Sequence, residues 1–115
     1  MLLAFSDGCC PRIDWYYNGY KVQGSFIIQA EKVNENCHYV LEEGEYQDGI
    51  WMCGDSWWGG KLSDKGKCKG QFRATTNSTG HVYVQDDLLK WQGSRDGGVS
   101  WEDIPLRLNC VDLCL

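Results

Sequence analysis

Seven cysteines in a chain of 115 residues constrain what this sequence can fold into more than any other feature. In a small chain such a density marks a disulfide scaffold made in an oxidising compartment. Zinc is the competing chemistry, and it asks for closely spaced cysteine or histidine pairs. Only Cys110 and Cys114 are spaced that way. Cys9, Cys10, Cys37, Cys53 and Cys68 are spread along the chain, and no spaced histidine pair joins them. No metal and no cofactor are expected. An odd number of cysteines leaves one free, paired between chains in a disulfide-linked homo-oligomer, or with its partner outside this sequence.

The length suits one domain with a modest core. Residues 1–8 read as a mature start or the remnant of a signal peptide, and residues 9–115 as a single disulfide-rich β domain. No apolar run approaches membrane-spanning length, so no membrane insertion is expected. The net charge is −5 and the basic residues are scattered. Nucleic acid is therefore an unsuitable partner, because phosphate binding needs a basic patch.

Period-two alternation recurs along the chain, and helical periodicity does not. Ile13, Trp15 and Tyr17 alternate with Arg12, Asp14 and Tyr16, and Asn18-Gly19 follows as a hairpin signal. Phe26, Ile28 and Ala30 share a face in the next run, as do Tyr39 and Leu41 in a third. Phe72 and Ala74 point inward from Gln71–Thr76, Val82 and Val84 share a face of His81–Gln85, and Leu89 and Trp91 share one of Leu88–Gln92. Ile104, Leu106, Leu108 and Cys110 form the cleanest alternation, with Arg107 and Asn109 opposite. Short strands between Gly/Asn/Asp turns predict an all-β fold, an antiparallel β-sandwich or barrel stapled by about three disulfides. Cys110 shares the core parity, so it bridges to Cys9 if the terminal strands are neighbours. If Pro11 shifts the register, Cys10 takes that place. Cys53–Cys68 would close a loop.

The stretch Ile50–Gly60 holds three of the six tryptophans. Ile50 to Cys53 reads as a buried strand, and Gly54, Asp55 and Ser56 as a turn. In extended backbone the adjacent Trp57 and Trp58 point to opposite faces. If the register survives the turn, Trp57 packs with Trp51 and Trp58 faces solvent. Trp58, Trp57 and Asp55 then form a candidate sugar platform, an indole for stacking and a carboxylate for hydroxyls. Tyr16, on the outward parity, is a further aromatic candidate.

Other polar groups are read more simply. Glu42, Glu43, Glu45 and Asp48, like Asp86 and Asp87, lack the Asp-x-Asp-x-Asp-Gly pattern of a calcium loop and read as solvated turns. Asn77-Ser78-Thr79 is a glycosylation sequon on a turn. His38 and His81 are the histidines. Cys37 and His38 are adjacent, so on a strand they face apart and make no dyad. Glu102-Asp103 and Asp86-Asp87 are carboxylate pairs of the kind glycoside hydrolysis uses, but nothing supplies a surrounding cleft in a chain this small. Catalysis is not expected.

The order Cys9-Cys10-Pro11-x-Ile13, Gly24-x-Phe26, Trp51-Met52-x-Gly54, Gly59-Gly60, Trp91-Gln92 and Trp101-Glu-Asp-x-Pro-Leu106-x-Leu108-x-Cys110 resembles a metazoan extracellular module met in secreted proteins of marine invertebrates. The resemblance spans roughly residues 9–110. It implies a secreted all-β module with a binding or matrix role and no catalytic machinery. It carries over no ligand residues. Cys37 and Cys114 depart from the pattern, as an added bridge or a free thiol.

Together these features predict a non-catalytic extracellular binding module whose ligand is a glycan or another extracellular protein. A structural matrix component cross-linked by the odd cysteine is the alternative, and a small secreted carboxylate hydrolase the second. Denatured, unreduced protein is expected to titrate with about one free thiol, or none as a covalent dimer, since an odd count leaves one over. Finding every thiol free would overturn the compartment argument.

Overall fold

The alternating runs become β1 (Arg12–Tyr17), β2 (Tyr20–Ile28), β3 (Tyr39–Glu42), β4 (Asp48–Cys53), β5 (Ser56–Lys61), β6 (Phe72–Thr75), β7 (Trp91–Gly93), β8 (Glu102–Asp103) and β9 (Leu106–Cys110). The structure is a computed structural model and describes residues 9–43, 48–75, 84 and 89–111. Cys114, the sequon at Asn77, Glu45, His81, Val82, Asp86 and Asp87 lie outside the described residues, as does the expected start at residues 1–8.

All nine strands form one antiparallel sheet in the order β8-β7-β6-β5-β4-β3-β2-β1-β9. Each strand up to β8 pairs with the next in sequence, and β9 returns to β1. Only Ile104 and Pro105 separate β8 from β9. The segment Glu102–Cys110 therefore pairs with β7 through its first part and with β1 through its last. Pro105 has no N–H to give to a ladder, which makes it a suitable break point. Its carbonyl still accepts from the Asn18 N–H (2.9 Å), while the Ile104 N–H donates to Trp91 (3.0 Å). The sheet curls, and one segment of chain holds both its edges. Of the expected alternatives this is the barrel-like one; there is no second sheet facing it among the described residues.

The Asn18-Gly19 turn joins β1 to β2 with φ of 53° and 85°. Positive φ at both positions is what a tight turn between right-twisted strands requires. On the concave face Ile13, Phe26, Ile50 and Ala74 are fully buried. Trp15 meets Phe26 edge-on at 5.2 Å between centroids, and Phe72 meets Trp91 at 5.6 Å. Edge-to-face packing suits the ring quadrupoles. The buried Tyr39 hydroxyl donates to the Cys10 carbonyl (2.8 Å), so its polar tip is satisfied. Leu106 and Leu108 are buried and Arg107 exposed, as the alternation in the last strand predicts.

The bridges are Cys9–Cys37, Cys10–Cys110 and Cys53–Cys68. Cys10, not Cys9, reaches Cys110. Alternation ends at Pro11, before β1 begins, so parity counted back from Ile13 no longer selects the cysteine. Cys37 takes Cys9, with their Cα atoms 6.4 Å apart. These two bridges tie together the end of the sheet where β1 starts and β9 finishes.

Gly59 faces Phe72 across the β5–β6 ladder. A β-carbon there would land inside the Phe72 ring. Gly59→Ala is expected to cost about 1–3 kcal/mol by overpacking. Combining it with Phe72→Leu should cost less than the sum of the single changes, because the clash is shared. Additive losses in denaturant titrations would show that the ring does not need this glycine.

Candidate functional site

The tryptophan pair is split between two faces, as extended backbone requires, but not in the expected sense. β4 and β5 are joined by the short turn Gly54-Asp55, with Cys53 opposite Ser56, Met52 opposite Trp57 and Trp51 opposite Trp58. Cross-strand partners share a face. Trp51 therefore sits beside Trp58 on the convex face, and Trp57 points to the concave core. Counting parity straight through the turn gives the wrong partner, because reversal of the chain pairs odd with even positions.

Nor is Trp58 exposed. It is 8% accessible and Trp57 is 3%. A strap of chain running from Lys61 to Gly70 doubles back over the convex face and is pinned by Cys53–Cys68. The Trp51 indole donates to the Lys67 carbonyl in this strap (2.7 Å). Asn34 Nδ2 ties it further, donating to Met52 (2.8 Å) and Gly66 (3.2 Å) carbonyls. Trp101 packs edge-on against Trp58 at 5.8 Å, and the Arg73 guanidinium lies 4.1 Å from the Trp101 ring centroid. The Trp101 loop is held by Asp96, which accepts from the Ser100 hydroxyl (2.6 Å) and N–H (2.9 Å) and from Ser94 (2.9 Å). Those hydrogen bonds from Ser100 and Ser94 lower the Asp96 pKa to about 2. The expected sugar platform is thus a second small core.

The other platform candidates do not converge. Asp55 is exposed at the tip of the hairpin. Tyr16 is half-buried on β1, four strands from β5 in the sheet order. At about 4.8 Å per strand that is roughly 19 Å along the sheet. Glu102 and Asp103 are exposed neighbours on β8, and Cys37 is held in a disulfide. His38 is 3% accessible. Burial, with Lys65 adding to it, lowers its pKa, against a smaller opposing effect of Glu31. Among the described residues no group of three or more His, Cys, Asp or Glu could hold a metal ion.

What the strand geometry does assemble lies at the open end, opposite the two bridges. The ends of β1 and β5 and the starts of β4, β6 and β9 surround a cavity of about 720 Å³. Trp15, Tyr17, Phe72, Ile104, Leu62 and Leu106 give it apolar walls, and Asp48, Lys61, Ser63 and Gln71 its polar groups. Asp48 corrects an expectation. It is not in a solvated acidic loop but opens β4, opposite Lys61, and is 8% accessible. Burial raises its pKa, and Lys61 opposes that shift. The sequence carried a signal for this site. Asp48 and Lys61 are the polar interruptions on the inward parity of β4 (Asp48, Ile50, Met52) and β5 (Trp57, Gly59, Lys61).

Comparison of the chain with protein-family models, with curated proteins and with solved structures returns no match. The functional reading therefore rests on the geometry of the molecule itself.

Trp57→Ala and Trp58→Ala are each expected to destabilise the protein by about 3–5 kcal/mol, the range for a buried large aromatic. A silent Trp58→Ala in chemical denaturation would restore the exposed-platform reading.

Proposed function

We propose that this protein is a non-catalytic extracellular binding module whose ligand enters the open end of the curled sheet. The cavity there carries the reading. It falls within the roughly 300–1,000 Å³ typical of small-ligand sites, and it has the usual make-up of apolar walls with a few convergent polar groups. Curled eight-stranded sheets of other proteins commonly hold one small ligand in this place, an analogy of architecture only. Three disulfides fit an oxidising environment, which supports an extracellular setting. Groups that a cavity of this volume can take include the terminal unit of a glycan and a side chain of an extracellular protein.

Ser63 is exposed at the rim. In glycan-array and extracellular-protein screens, binding by the wild type should be weakened at least tenfold by Ser63→Trp, which plugs the opening. The same change should alter stability by no more than about ±0.5 kcal/mol, as for a surface substitution. A ligand that binds the plugged variant unchanged would place the site elsewhere.

A further inference from the structure

Asp48 is the buried charged group that lines the cavity. It is 8% accessible, no hydrogen bond from a described residue reaches its carboxylate, and its oxygens are not among the buried atoms closed off without a partner, so the accessibility that remains opens on the cavity. Buried polar groups are normally hydrogen-bonded, so a ligand that displaces solvent from this carboxylate must supply donors in its place. Lys61, opposite it in the ladder, is exposed, so its ammonium stays in water while still opposing the carboxylate charge. What a ligand must bring to Asp48 is donors rather than a counter-charge.

That requirement sorts the ligand classes. A hydrocarbon would cover the carboxylate and leave it unsatisfied. A cation would meet Lys61 as a like charge, and an anion would meet Asp48. A neutral polyol donates hydroxyl hydrogens and brings no charge. The carboxylate has two oxygens and accepts from two neighbouring hydroxyls at once. Around it Trp15, Tyr17 and Phe72 offer apolar ring surface for the C–H face of a sugar.

We propose that Asp48 is the specificity-determining acceptor of the open-end cavity, taking paired hydrogen bonds from vicinal hydroxyls of a neutral pyranose at the end of a glycan. This rests on the binding role assigned above to that cavity and narrows it to one ligand class. It also moves the sugar-reading carboxylate from Asp55 to Asp48, at opposite ends of the β4–β5 hairpin.

The test is an NMR titration of the wild type with free neutral hexoses and N-acetylhexosamines, glycine, an alkylammonium salt and a short fatty acid. The expected result is that a neutral sugar alone shifts the Trp15 indole signal. Asp48→Asn and Asp48→Ser should each weaken that binding at least tenfold while folding normally, and Asp55→Asn should leave it unchanged. Binding of a neutral sugar that survives both Asp48 substitutions overturns the proposal. So does a response at Trp15 to a charged or hydrocarbon probe but to no sugar, an outcome that leaves the open-end site itself standing. If no probe disturbs Trp15 and protein ligands found by screening also ignore the Ser63→Trp plug, the open-end site fails and this assignment with it.

Discussion

The two-sided pairing of the Glu102–Cys110 segment is the constraint on which the rest of the molecule depends. A curled sheet with free edges presents unpaired N–H and C=O groups that invite association. Here one continuous stretch of chain occupies both edges, changing partner at Ile104-Pro105. The Cys10–Cys110 bridge then fixes the far end of that stretch to the start of β1. Once the edges are held, the concave face becomes an interior, with its bridged end tied shut and its other end surrounding the cavity.

The convex face would be solvated in a simple curled sheet. It is not so over β4 and β5, because Trp51 and Trp58 need cover. The strap supplies it, and Cys53–Cys68 keeps it in place. The same strap begins with Lys61, Leu62 and Ser63 and returns at Gln71, all of which line the cavity. The outer cluster and the cavity rim are thus parts of one covalently pinned loop. This gives the tryptophan-rich stretch a structural meaning, in that its cover also forms part of the cavity wall.

Asp48 and His38, both buried, press on stability in opposite directions with pH. Asp48 has a raised pKa, so the folded state holds its proton more tightly than the unfolded chain. Its burial therefore opposes folding at neutral pH, and that loss is recovered as pH falls through the raised value. His38 has a lowered pKa. The unfolded chain takes up its proton first, so stability falls as pH drops below about 6.5, the ordinary histidine value. A carboxylate kept where it disfavours the native state is the kind of local conflict expected at a functional position.

Strand positions, the Asn18-Gly19 turn, the inward residues of β1, β3, β6 and β9 and the bridge Cys53–Cys68 could all be read from the sequence, because alternation and turn chemistry are local. The all-β class and the oxidising compartment followed from the same patterns and from the cysteines. Non-local facts had to come from the tertiary structure. Which face Trp58 takes depends on the length of the turn before it, and whether that face is wet depends on a strap that returns from ten residues downstream. Asp48 looked like one more acid in an acidic loop, since its inward parity with Ile50 and Met52 shows a face but not whether the end of the strand is covered. Its place in the cavity was decided by β1, β5, β6 and β9 meeting around it, and sequence separation hides such a meeting until the sheet has curled.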